Sequence, residues 1–208
     1  MKKWICVISA VLMLTACGSE QSTSAEPTTA PTPTEEATPT PAISREEAFS
    51  GLIYVEDDFD GTRLYRSKFD SKANSEGKMA STEKDFDSFL ISIVCTEEST
   101  VPMITLRYHG DDWLFFDTVE IKVDDEIFSF SFQGYDRSEE ILDDASVLEQ
   151  YGKYVDDDLF DFLSGISGSS DVTVRFTGDG RYTFNLSRTK KMAIADIISA
   201  MKTFRGEA

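Results

Sequence analysis

The chain has 208 residues, with 38 acidic side chains against 20 basic ones and a formal net charge of −18. A surface of that sign repels phosphate backbones and anionic headgroups, which argues against nucleic-acid binding and against a protein lying flat on lipid. One histidine and three cysteines leave little material for metal or nucleophilic chemistry, while 15 phenylalanines supply apolar mass for a compact domain.

At the N-terminus, Lys2-Lys3 precede an apolar run from Trp4 to Leu14, and small residues follow. A charged start, a short apolar core and small residues before a cleavage point make a secretory signal, too short to span a bilayer. Its end, Leu14-Thr15-Ala16-Cys17, resembles the lipobox of bacterial lipoproteins. The resemblance implies a signal peptide over 1–16, cleavage before Cys17, and a lipid such as palmitate on the Cys17 sulfur. The chain is then extracytoplasmic and held on the cell membrane by that lipid. Loss of Lys2 and Lys3 leaves 18 of the 20 basic residues against 38 acidic ones, a net of −20. Cys6 departs with the signal and Cys17 is modified, so Cys95 stands alone and no intrachain disulfide is expected.

From 17 to 43 the chain is rich in Ser, Thr, Pro and Glu, with no aromatic or large aliphatic residue between 18 and 42. Such a segment cannot bury enough apolar surface to offset ordering, so a disordered tether is expected. In a polyproline-like conformation it reaches about 80 Å at most. Ser/Thr/Pro spacers after a lipidated cysteine resemble those of Gram-positive surface lipoproteins. The remainder, 44–208, is expected to be one domain.

Within that domain, Leu52–Val55 and Thr62–Tyr65 read as short strands around a turn. That turn, Glu56-Asp57-Asp58-Phe59-Asp60-Gly61, mimics the start of a calcium loop in Glu56, Asp58 and Asp60. Its twelfth position is Ser67 where a bidentate Glu is required, so these three are weak cation candidates and a plain turn is the expectation. Phe89–Cys95 is apolar on both faces, as a central strand would be, and Met103–Tyr108 alternates. His109 follows within Tyr108-His109-Gly110-Asp111-Asp112 and is expected on an exposed turn. Trp113–Phe116 reads as a strand leading into a hairpin. In that hairpin Val119–Val123 and Glu126–Phe132 flank a two-residue turn at Asp124-Asp125, setting Ile121 opposite Phe128 and Val119 opposite Phe130. The stretch 138–151 fits either a helix through Ile141, Leu142, Ala145 and Leu148 or a strand from Val147 to Tyr151. Asp156 or Asp157 caps a short helix carrying Leu159, Phe160, Phe162, Leu163 and Ile166. A second hairpin pairs Phe176 with Tyr182, Val174 with Phe184 and Val172 with Leu186, around a three-residue loop with Gly180 left-handed. Thr189–Phe204 carries Ile194, Ile197, Ile198 and Met201 at helical spacing. Strands first and helices mostly last argue for an α+β fold, an antiparallel sheet with a short and a C-terminal helix on one face.

Chemistry is sparse. A nucleophile needs an adjacent base, and His109 is the one candidate. Cys95 alternates with Phe89, Ile91 and Ile93, an apolar row in which a thiol behaves as a small hydrophobe. Gly165 and Gly168 lack the Lys-Ser/Thr ending of a phosphate loop, and Arg175 sits on the solvated face of its hairpin. Phrases such as Asp58-Phe59-Asp60-Gly61 and Trp113–Phe116 leading to Ile121–Asp125 resemble small uncharacterised lipoproteins of Gram-positive bacteria. The expectation is a membrane-anchored, non-catalytic binding or interaction module that needs no cofactor. A small envelope hydrolase using paired carboxylates is the alternative.

Overall fold

The computed structural model describes residues 43–70 and 88–207. The expected signal at 1–16, Cys17 and the tether to residue 42 lie outside the described residues. The region 40–208 forms one compact unit. The described residues hold ten antiparallel strands and three α-helices, a mostly-β member of the α+β class.

The first helix, α1 (Arg45–Ala48), is a single turn capped by Ser44. Six strands make the larger sheet: β1 (Ile53–Glu56), β2 (Arg63–Arg66), β3 (Phe89–Cys95), β4 (Thr100–Gly110), β7 (Ser138–Ile141) and β8 (Val147–Tyr154), in the order β1-β2-β3-β4-β8-β7. Four strands make the smaller one: β5 (Thr118–Val123), β6 (Glu126–Ser131), β9 (Val172–Thr177) and β10 (Arg181–Asn185), in the order β10-β9-β5-β6. A single expected sheet is therefore two. The sequence contains the hairpins but not the rule for joining them, because β5 pairs with β9 rather than with β4.

Both hairpin registers follow the apolar pattern. Ile121 pairs with Phe128 and Val119 with Phe130. Phe176 pairs with Tyr182 and Val174 with Phe184, and the Leu186 N–H donates to Val172 O at 2.8 Å. A shift of one residue would turn Val119, Ile121, Val174 and Phe176, all buried, to solvent. Gly180, however, has no positive φ. Its loop is instead fixed from outside: the Asp179 N–H donates to Leu114 O at 2.9 Å, and a Cβ on Gly178 would collide with the carbonyls of Leu114 and Phe115. Glycine is needed here for close approach, at 178, rather than for a left-handed turn at 180.

Residues 138–151 resolve as the β7–β8 hairpin, turning through Ala145 at φ 65°. The next helix, α2 (Asp157–Ser164), starts where Asp156 accepts the Leu159 N–H at 3.0 Å, and buries Leu159, Phe160 and Leu163. The last, α3 (Arg188–Arg205), is capped by Ser187, ends at left-handed Gly206, and buries Ile194, Ile197, Ile198 and Met201. Those side chains share one apolar core with β3, β5 and β9, and α3 contacts β3, α1 and α2.

Candidate functional site

Trp113–Phe116 is not a strand. Its backbone is held by the Glu149 carboxylate, which is wholly buried. Glu149 Oε1 accepts the N–H groups of Leu114 and Phe115 at 2.6 and 2.8 Å, and Oε2 accepts that of Phe116 at 3.1 Å. Three amides aimed at one side chain cannot also feed a ladder, so the segment loops. A carboxylate so placed must be charge-compensated, and the Arg137 guanidinium lies 3.2 Å away. Arg137 also donates to Phe116 O at 2.6 Å and to Glu139 at 2.7 Å.

The consequence is strain with an exposed product. Phe115 sits at φ 48°, a region that bulky residues avoid. Its ring stacks on Trp113 at 5.6 Å and 15°, lies under Arg137, and is 40% exposed. Glu149 was not among the sequence candidates. The signal for it existed: Glu149 interrupts the inward row Val147, Glu149, Tyr151 of β8, and an unpaired charge in such a row demands a partner. Glu139 faces Glu149 across β7–β8. As a carboxyl pair they are bridged by Arg137, and Glu149 is saturated with donors, which is unsuited to proton transfer.

His109 belongs to β4 rather than to a turn, because pairing with β8 continues through Leu148 to Gly110. It is partly buried, and its Nε2 lies 2.8 Å from Ser146 Oγ. Ser146 in turn donates to Asp144 Oδ1 at 2.6 Å, and this bond with the Ser146 N–H holds the Asp144 carboxyl below its ordinary value. Serine, histidine and aspartate thus meet in the wrong order. With its proton given to the Asp144 carboxylate, the Ser146 hydroxyl offers His109 an acceptor rather than a proton to abstract, unlike the serine of a catalytic triad.

Cys95 is buried beside Thr100, and burial pushes its thiol up, away from the reactive thiolate. Arg175 donates to Glu120 and Thr183 on the outer face of the smaller sheet. The acidic turn forms as a turn. Asp57 caps the Phe59 N–H, Asp60 caps the Thr62 N–H, and Gly61 takes φ 71°. Glu56 is engaged by Arg63 at 2.6 Å, and Asp58 is exposed. Among the described residues no group of three or more His, Cys, Asp or Glu side chains is gathered around a point that could hold a metal ion.

A different feature emerges beside that turn. Val55 pairs with Leu64, Leu64 with Val94, and Val94 with Val101, while Met103 pairs with Tyr154. Directly paired residues share a face, so these side chains form an apolar stripe across β1, β2, β3, β4 and β8. It lies on the face opposite Tyr65, Ile93 and Ile104, which point into the core. Tyr154 is 62% exposed and Val55 39%. The stripe floors a groove of about 530 Å³ whose rim includes Glu56, Asp57, Asp60 and Thr62. Sequence reasoning saw β3 as apolar on both faces but not that four neighbours share the property.

Among the described residues no helix is long and apolar enough to cross a membrane. No family model matches the chain, and neither the curated proteins nor the solved structures compared with it include one similar to it.

Proposed function

We propose that the protein is a lipid-anchored, extracytoplasmic binding module that is not a catalyst, and that the groove on the larger sheet is where it binds. The groove carries this reading. A concave apolar floor with a charged rim is the ordinary form of a recognition surface, and solvent-facing sheet surfaces are otherwise polar. In this reading α2 and α3 stand together on the core side of the larger sheet; on the opposite side Leu90, Ser92 and Thr105 are buried, and the groove over Val55, Leu64, Val94, Met103 and Tyr154 is the part open to a ligand. The contacts of α3 with β3 and α2 support that placement.

Cys17 supplies the anchor, on the strength of the lipobox-like run before it, and the tether lifts the module off a Gram-positive membrane. The chemistry of the site fits binding better than turnover, since the serine beside His109 is unactivated and Glu149 is consumed by backbone amides. Two measurements test the reading. Cys17→Ala protein should lose palmitate labelling and leave the membrane fraction; a labelled, membrane-bound variant refutes the anchor. A pull-down from envelope fractions, with and without calcium, should lose its captured species on Val55→Ser. Capture indifferent to that change refutes the groove.

A further inference from the structure

The groove ends at β1, and β1 is the edge strand of the larger sheet. The Asp57 N–H donates to Thr62 O at 2.8 Å, which makes 57 and 62 a hydrogen-bonded pair. In an antiparallel ladder such pairs alternate, so Ile53 and Val55 also bond to β2. Tyr54 and Glu56 therefore turn their N–H and C=O groups outward, to the edge that no other strand among the described residues pairs with. A chain added there would place one residue opposite Val55 in a non-hydrogen-bonded pair, where side chains approach most closely. That residue would extend the apolar floor formed by Val55, Leu64 and Val94.

The charge around this edge selects the occupant. Glu56, Asp57, Asp58 and Asp60 lie at the end of β1, where Arg63 is bonded to Glu56; a second guanidinium, that of Arg66, stands opposite Ile53 at the other end of the strand. A second copy of this chain would bring a net charge of −18 against them, and residues 18–42 contain four Glu and no Lys or Arg. We infer that β1 captures an extended cationic polypeptide segment of another protein, with an apolar residue opposite Val55 and Lys or Arg beside the acidic turn. Main-chain bonds at Tyr54 and Glu56 give affinity, and the groove and turn give selectivity. This inference rests on the groove being the binding site.

The test uses the full chain, a short alternating Val–Lys peptide and its Val–Glu counterpart. Titration calorimetry reads affinity, and amide exchange reads the edge. The Val–Lys peptide should bind, more weakly as salt rises. Val55→Ser should weaken it about tenfold, and Asp57→Asn with Asp60→Asn, which keep the turn caps, about two- to fivefold. The Tyr54 and Glu56 amides, fast in the free protein, should become protected, whereas the Val55 amide is protected throughout. Equal binding of Val–Glu, still weakened by Val55→Ser, would overturn the cationic class and leave the groove standing. Binding without protection at Tyr54 and Glu56 would overturn strand addition. No binding, or binding indifferent to Val55→Ser, would overturn the groove itself.

Discussion

Replacing Glu149 with Gln probes the link between the buried charge and the loop it organises. The amide oxygen can still accept from Leu114 and Phe115, as Oε1 does now at 2.6 and 2.8 Å. The amide nitrogen would instead face the Phe116 N–H, donor against donor, and that buried N–H would lose its partner. Leaving one buried donor unsatisfied costs about 1–3 kcal/mol. Arg137 would lose its closest buried carboxylate. It keeps Glu139 and Phe116 O, so the full cost of about 3–5 kcal/mol for a broken buried pair does not apply. Together the loss is about 3 kcal/mol, against a total stability of about 5–15 kcal/mol for a domain. In urea, with a slope of about 2 kcal/mol per molar, the midpoint should fall by about 1.5 M. Glu139→Gln is the control, since its half-exposed pair should be worth less than about 1 kcal/mol. A midpoint for Glu149→Gln within about 0.3 M of the parent, or equal to that of Glu139→Gln, would refute the account of the loop.

Phe115→Gly should be more stable than Phe115→Ala by about 1 kcal/mol, because both lose the ring while only Gly escapes the cost of φ 48°; thermal melts giving the reverse order would show the loop relaxes. Asp156→Ala should destabilise by about 1 kcal/mol through loss of the α2 cap. The Lys153 bond and then the Leu159 N–H lower the Asp156 pKa below 3.8 in the folded protein, so this stabilisation is complete above that value and vanishes as pH falls through the lower one. Parent and variant should therefore converge in strong acid, as circular dichroism would follow. Cys95 should resist thiol reagents in the native protein and react on unfolding, with labelling located by mass spectrometry; rapid native labelling would contradict its burial.

Periodicity carried the local structure. The alternation of Val119, Ile121, Phe128 and Phe130 leaves one register that buries all four, and the pairing follows it. The stripe of Ile194, Ile197, Ile198 and Met201 implies a helix over 189–204, and α3 runs one residue further at each end, from Arg188 to Arg205. What alternation does not encode is which strands meet across long sequence gaps. The pairing of β5 with β9, and hence two sheets instead of one, depends on the whole core. Trp113–Phe116 failed for a related reason: it has strand composition, but its amides are claimed by a carboxylate 33 to 35 residues later. His109 likewise looked like part of a turn because Gly110-Asp111-Asp112 follow it, whereas β8 extends the ladder past it. The groove was half legible. An apolar second face on Phe89–Cys95 signalled burial on both sides, yet only the assembled order of strands brings Val55, Leu64, Val94, Met103 and Tyr154 onto one surface.

Photo-crosslinking on living cells tests the central claim, that this face of the larger sheet is the binding surface. A photoreactive phenylalanine analogue is placed at Val55 in the groove, and in a second variant at Ile127, which is 60% exposed on the other sheet. The account predicts a discrete adduct from position 55, lost when a Val–Lys peptide is added in excess, and none from position 127. Adducts of equal yield from both positions, or none from position 55, would contradict it.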